Sequence, residues 1–340
     1  MSGLFGSSST SQANTLGDLS KDVALTQPPQ DSISDLCFSP VSNHLALTSW
    51  DNKVRIYEIN ASGGSEGKAL YEHEGPSLSC HWSPDGKNVV SAGADKAARL
   101  MDLGSGNTTV ATQVAVHDQP IRCVRYFTHE SANAPMIVTG SWDKTIKYWD
   151  LRASTPVGTI QCQERVYTMD VQKNLLVVGT ADRYINIVNL SDPSKIYKTL
   201  QSPLKWQTRV VSCFPDATGF AVGSIEGRCA IQYVEEKDSS SNFSFKCHRD
   251  PPQNNMTNVY SVNAISYHPI HGTFSTAGSD GTFHFWDGIA KHRLKGYPTT
   301  GGTYDWSKGY ASNTPQYPNK VMMHPVNGEE CKPRPSVKKR

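Results

Sequence analysis

Short apolar stretches separated by polar turns recur along most of the chain. The clearest example covers residues 137–152, where two runs of β-branched and aromatic residues (137–139 and 145–149) flank the polar sequence Ser-Trp-Asp-Lys. Runs of this composition favour β-strands, and a short polar connection between them predicts a β-hairpin. One hairpin cannot bury its apolar faces alone, so the pattern is expected to repeat with a regular period.

The repeat is marked by an acidic turn residue that is followed six positions later by a strand residue. In the clearest copy these residues are Asp143 and Trp149, and Asp150 follows directly. The acids of six such pairs are 44, 48, 39, 44 and 54 residues apart, near the ~40–45-residue period of WD-type repeats. Each WD repeat forms a four-stranded propeller blade, so we predict an all-β, WD-repeat β-propeller. The other pairs are Asp51/Tyr57, Asp95/Met101, Asp182/Val188, Glu226/Gln232 and Asp280/Trp286.

The regular spacing breaks near the C-terminal end. The next candidate turn acid after Trp286 is Asp305, only 19 residues away, whereas the corresponding earlier intervals are 33–48 residues. So short an interval cannot hold the strands of ~5–6 residues that a complete blade requires. We therefore predict a seven-bladed propeller with a truncated seventh blade. A short strand within residues 21–26 is expected to help to close the last blade.

A second set of recurring residues suits a buried hydrogen-bond chain. In WD-type blades a His, a Ser or Thr, the turn Asp and a Trp are bonded in series, since an unpaired buried polar group costs ~1–3 kcal/mol or more. An active site occurs once in a chain, whereas this set recurs, so we interpret it as structural. Its members are His73, Ser91, Asp95, His117, Thr139, Asp143, Trp149, Asp182, Thr276 and Asp280.

Composition narrows the remaining possibilities. Residues 1–20 are rich in Ser, Thr, Gly and Asn, which predicts disorder; residues 21–330 are interpreted as one propeller, and residues 331–340 as a basic tail. The eight cysteines lack metal-ligand spacing, which favours a reducing compartment and predicts no metal or other cofactor. No apolar run approaches ~18–20 residues, so no membrane insertion is expected. The net charge of +2 is too small to indicate a nucleic-acid binder by itself.

Several longer strings carry a family resemblance. They include residues 219–228 (Gly-Phe-Ala-Val-Gly-Ser-Ile-Glu-Gly-Arg), 242–249 (Asn-Phe-Ser-Phe-Lys-Cys-His-Arg), 268–272 (His-Pro-Ile-His-Gly) and 304–309 (Tyr-Asp-Trp-Ser-Lys-Gly). Together they resemble the nuclear-pore messenger-RNA export factors of the WD-repeat class, the RNA export 1 type. The resemblance extends over roughly residues 31–332. The chain departs from it at 296–302, where that family has a further pair of strands before the Tyr-Asp-Trp string.

This resemblance implies a non-enzymatic interaction scaffold that supports mRNA export. The expected partner is a hairpin segment of a phenylalanine-glycine (FG) nucleoporin, with single-stranded RNA as a further contact made together with the nucleoporin. The expected location is the nucleus, at the nuclear envelope and its pore complexes, and also the cytoplasm. A role as a mitotic checkpoint or spindle adaptor remains an alternative.

The candidate contact residues are basic and aromatic. The nucleoporin segment is acidic in this family, and guanidinium groups bind carboxylates bidentately. For the aromatic residues the alternative is packing in the core or in the blade's hydrogen-bond chain, and for the basic residues it is a solvated surface position. The nucleoporin- or RNA-binding face is predicted to comprise Arg228, Phe245, Lys246, Arg249, Trp286, Lys291 and Arg293.

A different function is suggested by the string Trp149-Asp150-Leu151-Arg152. Trp-Asp-x-Arg strings dock some propellers on adaptors of cullin-type ubiquitin ligases, which makes a substrate receptor acting through Arg152 the second hypothesis. No nucleophile elbow, Walker loop, zinc-protease helix or Rossmann glycine string occurs in the sequence, so we predict no catalytic residues and no enzyme.

Overall fold

The computed structural model describes residues 16–106, 108–128, 135–298 and 319–333. Their contacts divide them into two compact units. One unit contains the described residues within 22–199 and 319–323, and the other contains 16–21, 200–298 and 324–333. Both units are built almost entirely of antiparallel β-strands, in line with the all-β prediction.

The first unit contains a short strand pair and four blades, each a four-stranded sheet connected in chain order. The strand pair joins β1 (Val23–Ala24) to β26 (Met322–Met323). Blade 1 comprises β2 (Ile33–Phe38), β3 (His44–Ser49), β4 (Lys53–Ile59) and β5 (Ser65–Glu72); blade 2 comprises β6 (Ser77–Trp82), β7 (Asn88–Gly93), β8 (Ala97–Asp102) and β9 (Thr112–Val116); blade 3 comprises β10 (Ile121–Thr128), β11 (Pro135–Ser141), β12 (Thr145–Asp150) and β13 (Gly158–Gln161); blade 4 comprises β14 (Val166–Gln172), β15 (Leu175–Thr180), β16 (Tyr184–Asn189) and β17 (Lys198–Gln201), with a 3-10 turn at Ala181–Arg183.

The second unit contains two more blades of the same construction and the short C-terminal helix α1 (Gly328–Cys331). Blade 5 comprises β18 (Thr208–Cys213), β19 (Gly219–Ser224), β20 (Arg228–Tyr233) and β21 (Phe243–Lys246), with a 3-10 segment at Glu236–Ser241; blade 6 comprises β22 (Val262–Tyr267), β23 (Phe274–Gly278), β24 (Phe283–Asp287) and β25 (His292–Tyr297).

The core lies between the faces of neighbouring blades within each unit. The second strand of a blade is covered on both faces, so β15 and β19 are buried along their whole length. Strands further out alternate between buried and exposed residues, as β21 does. One apolar cluster joins blades 3 and 4 and another joins blades 5 and 6. The burial of these faces is what a single hairpin could not achieve.

The prediction of seven blades is wrong for the described residues. They form six four-stranded blades and one two-stranded sheet, and the predicted truncated seventh blade is not among them. The string around Asp305, on which that prediction was based, lies at 299–318, outside the described residues. The error came from counting a blade in the 19-residue interval between Trp286 and Asp305, which is too short to hold one.

Two contacts lie near the predicted ends of the propeller domain. Residues 1–15 and 334–340 lie outside the described residues, but Leu16 forms a parallel bridge with Gly296, and the amide of Gly17 donates to the Gly296 carbonyl at 2.7 Å. Residue Cys331, assigned to the basic tail, ends α1 and is buried. The prediction of one propeller domain over 21–330 stays a prediction.

Two blades contain a complete buried hydrogen-bond chain. In blade 3 the His117 ring contacts the Asp143 carboxylate at 2.8 Å and the Thr139 hydroxyl at 2.7 Å, and Trp149 Nε1 donates to the same hydroxyl at 2.9 Å. Blade 6 has an equivalent hydrogen-bond chain, in which the Thr276 hydroxyl is bonded to both His248 and Trp286. Its members are His248, Asp280, Thr276 and Trp286.

Blade 2 replaces the tryptophan of this chain with a tyrosine from another strand. His73 contacts Asp95 at 3.0 Å and the Ser91 hydroxyl at 2.7 Å. The Ser91 hydroxyl is also bonded to the hydroxyl of Tyr71 at 2.8 Å, because position 101 carries a methionine and offers no donor.

The assignment of Asp182 to such a chain is wrong. Asp182 is exposed in the 3-10 turn of blade 4. The polar chain of this blade consists of Gln163, Asn186 and Thr199, with Asn186 bonded to the other two at 2.9 and 2.8 Å. The turn acid therefore does not enter the interior, because amide groups take its place.

The chain in blade 2 predicts an acid-sensitive contribution to stability. Burial raises the pKa of Asp95, but the hydrogen bond and charge of His73, together with hydrogen bonds from the Glu74 amide and Arg99, outweigh it and hold the pKa at about 2, below its usual 3.8. A depressed carboxyl pKa stabilises the fold above pH 4, and this stabilisation is lost as the pH falls towards 2. Asp95→Asn should lower the unfolding midpoint at pH 7, and the difference from wild type should shrink between pH 4 and 2. Asp102→Asn, an exposed position in the same blade, controls for loss of one negative charge; a difference that stays constant down to pH 2 would contradict the assignment.

Candidate partner-binding surface

The pairing of β20 with β21 brings two of the predicted basic residues together, next to the tight turn between β19 and β20. Arg228 begins β20 and lies opposite Lys246, the last residue of β21. Gly227 precedes Arg228 with φ of +63°, and a Cβ there would lie 2.6 Å from the His248 carbonyl oxygen. Glycine is therefore required for the turn to pack against the segment that follows β21.

Arg249 lies beside this turn and stabilises it. Its Nη2 donates to the carbonyl of Glu226 at 2.8 Å and to that of Gly227 at 3.3 Å. Burial and the neighbouring charge of Arg228 lower the pKa of Arg249. Arg228, Lys246 and Arg249 thus occupy one end of blade 5, which we call the basic turn end.

The three side chains of the basic turn end differ in how accessible they are. Lys246 is exposed, and Arg228 is about one-third exposed with its Nε 3.6 Å from the carboxylate of Glu226. That separation is longer than a charge-assisted hydrogen bond, so the guanidinium can accept a better-placed carboxylate. Arg249 is half-buried and already bonded to the turn. The surface therefore offers two cations on a fixed turn, with the third acting as a brace.

The predicted contact role of Phe245 and Trp286 does not agree with their burial. Phe245 is 3% exposed and Trp286 is 4% exposed, and their rings pack at 4.7 Å in the core between blades 5 and 6. Because side chains alternate along β21, exposing Lys246 places Phe245 on the inner face. Trp286 is also held by its bond to Thr276. Both residues are packed inside the blades, and their burial does not favour direct contact with a partner.

Lys291 lies away from the basic turn end. Its ammonium group stacks on the ring of Phe243 at 4.7 Å, and Phe243 is the first residue of β21 while Lys246 is the last. Three strand residues span ~10 Å, so Arg228 and Lys291 do not share one contact point.

Arg293 is exposed on the outer strand β25, paired with Trp286 across the ladder. It therefore belongs to the outer edge of blade 6. The ring of Trp286 is buried and does not form part of that surface.

Arg152, the residue behind the ubiquitin-ligase hypothesis, lies in the loop after β12 and is exposed. Its Nε and Nη2 donate to the two carboxylate oxygens of Asp150 at 2.9 and 2.6 Å. The neighbouring acid thus neutralises this cation, so its geometry does not favour an adaptor contact.

His248 is a residue of this region that sequence reasoning missed. It precedes Asp280 by 32 residues, whereas His73 and His117 precede their acids by 22 and 26. The insertion at residues 250–258, which forms a two-stranded extension through the Arg249–Val259 bridge, accounts for the longer interval. The string His-Arg-Asp before this insertion is the signal that could have identified it.

The family of the WD domain, G-beta repeat, matches residues 23–58, 64–102, 108–150 and 243–287. The mRNA export factor GLE2 of Chaetomium thermophilum is 65% identical, with all of both chains covered. The Poly(A)+ RNA export protein of Schizosaccharomyces pombe is 54% identical, covering 98% of each chain, and the protein Rae1 of Drosophila melanogaster is 40% identical, covering 92% of this chain and 96% of the relative.

The chain belongs to the family of WD40-repeat mRNA export factors. The matches span almost the whole length of these relatives. Among the described helices, none has the length and apolar character that crossing a bilayer requires.

The Chaetomium relative also has positions that this chain lacks. Its alignment extends over 362 positions and covers the whole of this 340-residue chain, so at least 22 positions of the relative have no counterpart here.

The bracing role of Arg249 can be tested by substitution. Arg249→Met keeps most of the aliphatic stem but loses the bonds to the two turn carbonyls, and it should lower the free energy of unfolding by about 1.5–3 kcal/mol, as expected for bonds from a charged donor. Chemical denaturation measures the change. Arg293→Met, at an exposed position, is the matched control; an equal effect of both variants would contradict the bracing role.

Proposed function

We propose that this protein supports the export of mRNA from the nucleus as a non-enzymatic interaction scaffold. The observation that carries the proposal is 65% identity over the full length of a protein named as an mRNA export factor. The six blades supply a rigid support, and function resides in the loops and turns at their ends. We propose the nucleus and its pore complexes as the working location, with a further pool in the cytoplasm.

We further propose that the basic turn end receives an acidic hairpin segment of an FG nucleoporin. Arg228 and Lys246 face each other across two strands and are held by a turn that Arg249 and Gly227 fix. Preorganised cations lose less conformational entropy when they bind a carboxylate. Single-stranded RNA would then be contacted together with the nucleoporin, since two accessible cations provide little affinity for a phosphate backbone by themselves.

Charge reversal at the basic turn end tests this proposal. Arg228→Glu with Lys246→Glu should weaken capture of a synthetic acidic nucleoporin hairpin by at least about tenfold, because two charge-assisted contacts of ~1.5–3 kcal/mol each are replaced by repulsion. Fluorescence anisotropy with the full-length protein measures the affinity. The wild-type affinity should also fall as salt increases.

The matched control is Lys291, which lies beside Phe243 at the end of β21 opposite Lys246. Lys291→Glu reverses one charge near Phe243 and should leave capture of the hairpin within about twofold, as expected for a site outside the contact. Unchanged circular dichroism of both variants excludes unfolding as the cause. Full capture by the double variant would remove the basic turn end from the proposal, while loss of capture by Lys291→Glu alone would place the contact at the opposite end of blade 5.

A further inference from the structure

Two histidines and a cysteine that are distant in sequence meet beside α1. They are His268 and His271, in the turn before β23, and Cys331, the last residue of α1. One ligand atom from each lies within 4.8 Å of the other two. Among the described residues one other group, His248, Asp280 and His284, shows a comparable clustering. His248 and Asp280 belong to the hydrogen-bond chain of blade 6, and the His284 ring packs against that of His248.

The turn that carries the histidines is tightly fixed. The His268 amide donates to the Thr273 carbonyl at 2.7 Å, and the Gly272 amide donates to the His268 carbonyl at 3.0 Å. The two imidazole rings stack at 4.4 Å with an interplanar angle of 24°. Both rings are partly accessible, so the turn presents two nitrogen ligands close together.

The third ligand is held in place independently of any ion. The buried Thr273 hydroxyl donates to the Cys331 carbonyl at 2.6 Å, and Lys295 pairs with Glu330 at 2.9 Å. A capping box of Asn327 and Glu330 fixes the start of α1. These contacts bring the thiol of Cys331 to the histidine turn, although Cys331 follows His271 by 60 residues in the sequence. No short metal-binding motif spans such a separation, so the sequence alone does not reveal the cluster.

We propose that His268, His271 and Cys331 bind a zinc-class cation. Imidazole and thiolate ligands together suit Zn²⁺, and three protein ligands leave a fourth position for water or a further oxygen. In a tetrahedral site with bonds of ~2.0–2.3 Å, ligand atoms lie ~3.3–3.8 Å apart. The three ligand atoms lie within 4.8 Å of one another, so side-chain rotations that move each atom by about 1 Å suffice to close the site.

Ion binding requires two local changes. The Cys331 thiol must lose the proton that it donates to the Gly328 carbonyl at 3.6 Å, and the contacts of His268 must change. Nδ1 of His268 accepts from the amides of Ile270 and His271, both at 3.2 Å. Ligation through either ring nitrogen ends these contacts. If Nδ1 binds the ion, its lone pair is used for the metal bond; if Nε2 binds the ion, the ring proton must reside on Nδ1, which can then no longer accept. The contacts are at the long limit for hydrogen bonds, so they are readily exchanged for a metal bond.

The consequence of the site is an anchor for the C-terminal segment. Residues 327–332 contact the rest of their unit mainly through the single helical turn of α1. An ion shared between Cys331 and the histidine turn would add a cross-link to blade 6. Binding to the folded chain also raises the stability of that chain in proportion to the logarithm of ion concentration.

Cobalt(II) is the probe that reports the ligands directly. Full-length protein, kept reduced with a phosphine, is titrated with Co²⁺ and then with Zn²⁺. Wild type should bind one Co²⁺ per chain, with visible bands of a tetrahedral ion and a near-ultraviolet thiolate charge-transfer band that Zn²⁺ abolishes. Cys331→Ser should lose the charge-transfer band, and His271→Ala should weaken Co²⁺ binding by at least roughly tenfold.

Two control variants retain the binding. Cys37→Ser removes a half-buried thiol elsewhere, and His292→Ala removes an exposed imidazole of blade 6; both should bind Co²⁺ like wild type. Zn²⁺ should slow cleavage of wild type by a glutamyl endopeptidase after Glu329 or Glu330 and should not protect Cys331→Ser. The proposal is overturned if wild type binds no Co²⁺, or if Cys331→Ser and His271→Ala keep the wild-type spectrum and affinity.

Discussion

A hydroxyl group that bridges two buried side chains is the interaction on which blades 2, 3 and 6 depend. In blade 3 the Thr139 hydroxyl contacts both His117 and Trp149, and in blade 6 Thr276 does the same for His248 and Trp286. In a low-dielectric interior such bonds are strong, and each partner would be costly to leave unsatisfied. This chain of hydrogen bonds ends on the acidic residue of the turn. It therefore fixes the turn between the second and third strands of the blade relative to the histidine, which belongs to the segment before the blade.

The same constraint places the candidate surface. His248 belongs to the segment that leaves blade 5, yet it is bonded within blade 6. Arg249 follows it directly and braces the turn before Arg228. The position of the basic turn end thus follows from a buried chain in the next blade. The interior polar residues and the surface cations are consecutive in sequence, which is why a structural residue and a functional one can lie side by side in the string His-Arg.

The sequence allowed the repeat, the blade class and most members of the buried chains to be predicted, because each depends on local spacing. It could not reveal that Tyr71 replaces a tryptophan, or that the insertion at 250–258 displaces His248 from its usual interval. The contact role expected of Phe245 and Trp286 was wrong, since residue type alone does not tell which face of a strand is covered. The meeting of Cys331 with His268 and His271 depends on tertiary structure and has no local signature.

The most direct measurement of the central claim is the stability of Thr139→Val. This substitution keeps the side-chain shape but leaves Nε2 of His117 and the Nε1–H donor of Trp149 without the hydroxyl that they share, so the free energy of unfolding should fall by roughly 2–4 kcal/mol. Thr159→Val, at an exposed position of β13 in the same blade, should change it by less than about 0.5 kcal/mol. Equal stabilities of the two variants in chemical denaturation would contradict the bridging role of the hydroxyl.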